Sequence, residues 1–390
     1  MYVKALAFFV CLYINYTLQN ITGDPDPITT IIQNDGYPAE FYEVTSIDDY
    51  IISLHRIPPK ALTSKVVFLM HGMLVSAADF LVLGSGQNKA LAYALSEAGY
   101  DVWLGNARGT KFSRKHASIT ANDDEYWEFS WHEIGIYDLP AFIDAVLAKT
   151  GQKSLHLIAH SQGTTSFFVM LSVRPEYNEK IRMFHGMSPA MRISHPSHVL
   201  QFFAANADEI EMALSMFNIV EFPSSISEGE NVATMFCKED SPFAPLCGNL
   251  IFAFVGKNAK QFNGTLVGSV LKNTPAGMSM KQLYHYLQLI NSKKFQFYDF
   301  KKEGNLAKYK SLTAPEYQTS NIKVKMQILY GTHDLVTTPE DVEQIIQYFG
   351  DQVVDIVKIE DWNHIDFVYG KDANKMVYQK IIELMRKHEI

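Results

Sequence analysis

Three residues in distant parts of the chain could together perform nucleophilic catalysis: Ser161, Asp334 and His364. A serine hydroxyl is a weak nucleophile at neutral pH and needs a neighbouring base, usually a histidine that a carboxylate orients. Each of the three residues follows a short apolar run with the composition of a buried strand. Functional residues of a parallel sheet collect beyond the carboxyl ends of its strands. We therefore predict that the three side chains meet there.

The candidate nucleophile is the central residue of the sequence AHSQG, residues 159–163. This pattern approaches G-x-S-x-G, in which a strand turns sharply into a helix and exposes the serine at the turn. The first glycine is replaced by Ala159. Alanine adds a single methyl group to a crowded position, so we expect the turn to form at a small cost in strain.

Asp334 is the preferred acid among five candidate aspartates in the last part of the chain, because it lies in the loop that leaves the end of a predicted strand. The rivals open a helix, lie within a strand or flank the candidate histidine, and in chain order they are Asp341, Asp355, Asp361 and Asp366. The order Ser…Asp…His along the chain is the one used on the α/β-hydrolase sheet. His160 is a poor base for Ser161, because adjacent side chains diverge at the turn.

Acyl transfer also needs hydrogen-bond donors for the negatively charged oxygen of the intermediate. On this sheet the donors are the backbone N–H after the nucleophile and one from a loop after an early strand. These are Gln162 and Met73, and we expect His71, at the end of that strand, to shape the loop. No H-E-x-x-H, paired C-x-x-C or glycine-rich phosphate loop is present, so we predict neither a metal nor a cofactor.

Strands that alternate with helices indicate βαβ units and a mostly parallel sheet. The predicted strands cover residues 66–70, 100–104, 154–158, 183–187, 324–330 and 353–359. We expect Asp138 to cap one helix, and a capping box from Thr338 to Asp341 to open another. From about Met191 to Lys310 the alternation stops and the sequence becomes helix-like and aromatic. We read that region as an insertion that covers the sheet.

These observations predict a signal peptide at residues 1–19, a core at 20–190 and 311–390, and a cap at 191–310. The N-terminal region is apolar from Ala5 to Ile14, too short to span a bilayer comfortably. A retained signal anchor is the alternative. The formal net charge is −8 and no long basic run occurs, which argues against nucleic acid as a partner.

Export would explain several other features. Cys237 and Cys247 form an even pair, which suits a disulfide in an oxidising compartment, although two free buried thiols would have the same sequence. Asn20 and Asn263 lie in glycosylation acceptor triplets.

Seven segments together resemble the acid lipases, a family that includes gastric and lysosomal lipases. They are residues 71–77, 99–109, 137–141, 160–165, 273–277, 294–299 and 363–367. The resemblance implies an α/β-hydrolase core with a helical cap and lid, the Ser161–Asp334–His364 triad, and an oxyanion hole from Met73 and Gln162. It also implies neutral-lipid ester substrates and supports a disulfide between Cys237 and Cys247.

We therefore predict a secreted or lysosomal serine esterase that hydrolyses triacylglycerol or cholesteryl esters through an acyl-enzyme. It would contact lipid–water interfaces peripherally, without a transmembrane span. Two alternatives remain open from the sequence. The same three residues could serve a peptidase, or the chain could be a lipid-binding or storage protein with a silent site.

Overall fold

The computed structural model describes residues 26–63, 65–222, 254–258, 260–261 and 263–389. The predicted signal peptide, Asn20, Cys237 and Cys247 lie outside these residues. Within them, no helix has the length and apolar character needed to cross a bilayer.

The strands alternate with helices along most of the chain. The strands are β1 Glu40–Thr45, β2 Tyr50–Ile57, β3 Val66–Met70, β4 Asp101–Gly105, β5 Lys115–His116, β6 Leu155–His160, β7 Ile181–Met187, β8 Glu221–Phe222, β9 Met278–Ser279, β10 Met326–Gly331 and β11 Val353–Ile359. The helices are α1 Pro27–Asn34, α2 Leu91–Glu97, α3 Trp131–Glu133, α4 Leu139–Thr150, α5 Gln162–Val173, α6 His198–Ala205, α7 Ala207–Met216, α8 Val267–Asn273, α9 Met280–Ser292, α10 Lys301–Tyr309, α11 Pro339–Phe349, α12 Asp366–Tyr369 and α13 Gln379–Lys387.

One large sheet organises the molecule, with the strand order β1-β2-β4-β3-β6-β7-β10-β11. The pairs from β4 to β11 are parallel, whereas β2 runs antiparallel to both of its neighbours in that order. The mostly parallel α/β architecture is therefore confirmed. The predicted strand limits agree for β3 and β11 and differ by one or two residues at the ends of the other predicted strands.

The central strands of the sheet are buried on both faces, whereas the outer strands β1 and β11 alternate between half-buried and exposed positions. Successive residues of β3 alternate between two apolar clusters, with Phe68 in one and Leu69 in the other. Phe142 of α4 packs in the first cluster and Tyr93 of α2 in the second. Helices cover both faces, and a strand in such a layer reads as a continuous apolar run, which is why Val66–Met70 could be recognised from the sequence.

The prediction that Asp138 caps a helix is wrong. Helical backbone already runs from Trp131 through a wide turn at Ile134–Asp138 into α4, and the Asp138 side chain makes no capping hydrogen bond. Instead, its carboxylate accepts a bond of 2.8 Å from Nε of Arg108. Both side chains are almost completely buried. The carboxylate thus serves an internal ion pair between distant segments, and no local pattern contains that information.

The predicted capping box at Thr338 is also wrong. The Thr338 side chain does not cap α11; its hydroxyl donates to the carbonyl of His195. The Asp341 carboxylate accepts from the backbone N–H of Ser194 instead of reaching back to the helix start. Both side chains join α11 to the loop that follows β7.

The described chain between β7 and β10 is mostly helical, as predicted for the cap. Its helix α9 packs on α5, which follows the candidate nucleophile. The Tyr286 hydroxyl lies 2.8 Å from the Thr165 hydroxyl, and Gln282 bonds to Gln162. The limits of the cap at 191 and 310 stay a prediction.

Candidate active site

Ser161 occupies a sharp turn between β6 and α5. Its φ of 51° and ψ of −122° are costly for a residue with a side chain. Hydrogen bonds on both sides hold the turn: the Ser161 N–H donates to Met187, and the Ser161 carbonyl accepts from the Thr164 N–H and hydroxyl. Strain of this kind persists only where the surroundings over-determine it. The turn presents the serine side chain beyond the end of β6.

The glycine of the motif is required by the contact between α5 and β3. A Cβ at Gly163 would lie 2.6 Å from the carbonyl oxygen of Met70 and 2.8 Å from that of His71. Both are backbone atoms, so no side-chain movement could relieve the clash. At the other end of the motif, Ala159 is fully buried and β6 continues through it.

The structure brings the three predicted catalytic residues into one chain of hydrogen bonds. His364 Nε2 lies 2.8 Å from Ser161 Oγ, and His364 Nδ1 lies 2.9 Å from Asp334 Oδ2. An ionised carboxylate only accepts, so Nδ1 carries the proton of a neutral His364. Nε2 is then free to accept from the serine hydroxyl. This tautomer is the one that a general base requires.

Asp334 is fully buried, and both oxygen atoms of its carboxylate accept hydrogen bonds. Its Oδ1 accepts from the N–H groups of Val336 and Thr337, and its Oδ2 also accepts from the Thr337 hydroxyl. Burial by itself raises the pKa of Asp334, but attraction to His364 and these hydrogen bonds outweigh it and lower the pKa. The carboxylate therefore stays charged beside the histidine.

The rival carboxylates make other contacts. Asp355 accepts from the side chain of Gln327, and Asp361 lies 3.6 Å from Nζ of Lys260. Asp366 accepts from the backbone N–H of Asn363. Asp341 contacts Ser194, as described above.

The loop after β3 lies against the serine. A Cβ at Gly72 would approach Ser161 Cβ to 3.1 Å, so the Met73 backbone follows directly beside the nucleophile. Leu74 has a φ of 65°, and its carbonyl accepts from the N–H of Ala276. A residue of the segment before β9 thus braces the loop. The Gln162 N–H lies at the start of α5, where backbone N–H groups carry partial positive charge.

Two further histidines support these loops. His71 accepts from the Ala107 N–H at Nε2 and donates from Nδ1 to the Gly72 carbonyl. Burial lowers the pKa of His71 to about 4. Nε2 of His160 donates to the carbonyl of His364, and burial lowers the pKa of His160 to about 3. Both rings are therefore neutral. They hold backbone at the site, and neither is hydrogen-bonded to the serine.

Sequence reasoning missed the residues that support this site from elsewhere. Thr337 follows Asp334 by three residues, a spacing typical of a local side-chain turn, and could have been noticed. Gln282 and the segment 254–258 come from the cap region, and nothing in their local sequence signals a contact with Gln162 or His364. In the described part of the chain, no three or more His, Cys, Asp or Glu side chains are grouped as metal ligands.

Two family models match this chain. The model of the alpha/beta hydrolase fold matches residues 65–217, and that of the partial alpha/beta-hydrolase lipase region matches residues 28–84. Among solved structures, a soluble variant of monoglyceride lipase from Saccharomyces cerevisiae has a TM-score of 0.54 at 16% identity, covering 96% of this chain and 97% of that one. Epoxide hydrolase VrEH1 from Vigna radiata has a TM-score of 0.52 at 15% identity, covering 89% and 98%. Similarity at these identities establishes the fold alone.

Curated relatives are much more similar in sequence. Lipase 3 of Drosophila melanogaster is 38% identical, covering 92% of each chain. Human lipase member K is 33% identical, covering 93% of this chain and 91% of the relative. A Crotalus adamanteus protein, provisionally named a lysosomal acid lipase/cholesteryl ester hydrolase, is 34% identical over 92% of this chain and 90% of its own. The chain therefore belongs to the acid lipase family of α/β hydrolases.

Proposed function

We propose that this lipase hydrolyses neutral-lipid carboxylic esters with Ser161 as nucleophile, His364 as general base and acid, and Asp334 as the residue that orients the histidine. The observation that carries the proposal is the continuous pair of hydrogen bonds from Asp334 through His364 to Ser161, at 2.9 and 2.8 Å. Their lengths suit proton transfer by a positioned base.

In the first half of the reaction, His364 Nε2 takes the proton of the Ser161 hydroxyl as Oγ attacks the ester carbonyl. The imidazolium that forms is stabilised by the buried Asp334 carboxylate. The N–H groups of Met73 and Gln162 would donate to the oxygen of the tetrahedral intermediate. A donor in this role is usually worth about 2.7–4 kcal/mol.

In the second half, the His364 imidazolium protonates the leaving alcohol, and the acyl group remains on Ser161. Water then enters, gives a proton to His364 and attacks the acyl carbonyl. Collapse of the second tetrahedral intermediate returns the proton to Ser161 and releases the fatty acid. This sequence needs neither a metal nor a cofactor.

A lipid surface is the proposed partner. Helix α7 and the residue after it expose large apolar side chains, with Met212 60%, Met216 77% and Phe217 67% exposed. Exposed apolar surface of this kind is typical of sites that contact other molecules or membranes. The names of the relatives, which include a cholesteryl ester hydrolase, also favour neutral-lipid esters.

We also propose a route through the secretory pathway to the outside of the cell or the lysosome. The predicted signal peptide, acceptor asparagines and cysteine pair support it. Of the acceptors, Asn263 lies in the described part, where its side-chain oxygen accepts from the N–H and hydroxyl of the exposed Thr265. Glycosidase treatment of the secreted protein, with Asn263→Gln as control, would test that site.

Covalent labelling tests the nucleophile. A fluorophosphonate should label wild-type protein, and Ser161→Ala should abolish the labelling while leaving the melting temperature within a few degrees. Absence of wild-type labelling, or undiminished labelling of the variant, would overturn the proposal. Labelling without turnover of any ester would favour a lipid-binding protein with a reactive but silent serine.

The substrate class is tested by parallel assays. Emulsified triacylglycerol, emulsified cholesteryl ester and a blocked peptide are offered to wild type and to Ser161→Ala. We expect fatty-acid release from at least one lipid ester and none from the peptide. Peptide hydrolysis without ester hydrolysis would make the enzyme a peptidase. If activity shows no rise when a substrate passes from monomer to emulsion, the proposed contact with lipid surfaces fails.

A further inference from the structure

A short segment of the cap region lies across the two loops that carry His364 and Asp334. This segment is residues 254–258, which we call the strap. It lies about 75 residues before Asp334 and more than 100 before His364 in the chain, counted from its last residue. Its contacts with both loops are therefore a product of the tertiary structure.

The strap bonds directly to the backbone of the proposed base. The N–H of His364 donates to the carbonyl of Val255 at 3.1 Å. The side-chain amide of the preceding residue, Asn363, donates to the carbonyl of Gly256 at 2.9 Å. Two successive residues of the histidine loop are thus tied to two successive carbonyl groups of the strap.

The strap also packs closely against the loop that carries Asp334. Gly256 has a φ of +100°, and a Cβ there would lie 1.8 Å from the carbonyl oxygen of His333. Only glycine can occupy that position without displacing the backbone immediately before Asp334. The strap therefore contacts the backbone of both loops whose separation determines the bond between His364 and Asp334.

Asn258 provides the third connection. Its side-chain amide donates to Asp366 Oδ2 at 2.8 Å, and the same oxygen accepts from the N–H of Asn363. Asn258 is 5% exposed and Asp366 4% exposed. Burial, together with the more distant charge of Asp334, raises the pKa of Asp366 to about 6. The raised pKa means that burial disfavours the charged carboxylate, so Asp366 depends strongly on the hydrogen-bond donors around it.

We propose that Asn258 is a positioning residue for the reaction, which holds His364 in register with Ser161 and Asp334 through its bond to Asp366. This inference rests on the proposed function of His364 as the base. Asp366 and Asn363 bracket the histidine, so a donor that holds the Asp366 carboxylate also holds the backbone from which the imidazole projects. A displacement of about 1 Å at a catalytic group can cost about 10²-fold in rate.

The test exchanges the amide of Asn258 for a carboxyl group. In Asn258→Asp at pH 5, one of the two facing carboxyl groups is protonated and an O–H···O bond replaces the N–H···O bond. At pH 8 both carboxylates ionise and repel at hydrogen-bond distance. The kcat of the variant relative to wild type, on a short-chain soluble ester, should therefore be about tenfold or more lower at pH 8 than at pH 5, with KM little changed.

A neighbouring glutamine supplies a matched control. The side-chain amide of Gln261 donates to the Asp372 carboxylate at 2.8 Å, beyond the strap and away from His364. Gln261→Glu also creates a pair of facing carboxylates, here with the exposed Asp372. We expect its relative kcat to be the same at both pH values. An equal pH-dependent loss in both variants, or none in Asn258→Asp, would overturn the proposal.

A second variant covers the case in which Asn258→Asp unfolds at pH 8, as its thermal unfolding would show. Asn258→Ala removes the donor without adding charge, and its kcat should fall by a similar factor at both pH values. An unchanged kcat in Asn258→Ala contradicts the positioning role. Fluorophosphonate labelling distinguishes failure of this inference from failure of the proposed function. If wild type is labelled and Ser161→Ala is not, an unchanged kcat in the Asn258 variants contradicts only the positioning role of Asn258.

Discussion

The side-chain amide of Gln162 donates a hydrogen bond of 2.6 Å to the amide oxygen of Gln282 on α9. Both side chains are buried, and the Gln162 oxygen has no hydrogen-bond partner within the described residues. A helix of the cap region is thereby joined to the residue whose backbone N–H we propose as an oxyanion donor.

Gln282→Leu should lower kcat about tenfold, since misplacing a donor costs less than the roughly 10²–10³-fold loss on removing one. KM should change little, because the donor acts mainly on the intermediate. Leaving the Gln162 amide unpaired should also reduce the free energy of unfolding by about 1–3 kcal/mol. Steady-state kinetics on a soluble ester and urea unfolding measure the two effects.

The matched control is Tyr286→Phe, which removes the contact with the Thr165 hydroxyl from the same helix. This contact lies further along α5, so kcat should stay within about twofold of wild type, against the tenfold expected for the oxyanion donor. Equal losses of kcat in the two variants would mean that α9 acts through packing alone.

Gly163→Ala should inactivate the enzyme, because the added methyl group meets the backbone oxygen atoms of Met70 and His71 at the end of β3. The start of α5 must then move away from the loop after β3, and we expect a loss of about 10²-fold or more in the rate of fluorophosphonate labelling. In Gly268→Ala, a Cβ in helix α8 meets nothing within 4 Å, so labelling should be unaffected. Normal labelling of Gly163→Ala would show that the turn is not constrained by β3.

Arg108→Met should destabilise the fold by about 3–5 kcal/mol, because it leaves the buried Asp138 carboxylate without its cation. The guanidinium also pairs with Asp48 and lies 3.8 Å from the ring centre of Tyr50. The control is Lys115→Met at an exposed ion pair, where the loss should be no more than about 1 kcal/mol. Denaturant unfolding at neutral pH measures the free energy of unfolding of both variants. Equal losses would mean that the buried ion pair of Arg108 contributes no more to stability than the exposed pair of Lys115.

Asp79→Asn should make stability less sensitive to pH. Burial raises the pKa of Asp79 to about 7, although the Tyr369 hydroxyl donates to it. The native state then binds more protons than the unfolded state between about pH 4 and pH 7, so stability from this group is present at acid pH and is lost as the pH rises. The variant should exceed wild type by about 2–4 kcal/mol above pH 7 and match it near pH 4.

Unfolding free energies measured from pH 4 to pH 8 check this prediction, with Asp351→Asn at an exposed position as the control. Buried neutral histidines such as His71 lower the stability as the pH falls. They do so equally in wild type and in Asp79→Asn, so the difference between the two proteins reports on Asp79. If the two curves run parallel across the range, the Asp79 carboxyl does not titrate as described.

The strands of the sheet and the three candidate catalytic residues could be predicted from local sequence patterns. Continuous apolar runs such as Val66–Met70 are recognisable because a strand buried on both faces carries apolar side chains at every position. Ser161, Asp334 and His364 stood out because each lies at or shortly after the end of a predicted strand, and the strands of a parallel sheet carry such residues at one edge. The family motifs are likewise local, and the comparisons confirm the family they indicated.

The contacts between polar groups that lie far apart in the sequence could be read only from the folded structure. Asp138 has the local sequence of a helix cap, yet it pairs with Arg108, 30 residues away. Asn258 and Gln282 of the cap region bond to Asp366 and to Gln162, over separations of 108 and 120 residues. Hydrogen bonds and ion pairs of this kind depend on the relative placement of elements, which no residue's neighbours in sequence encode.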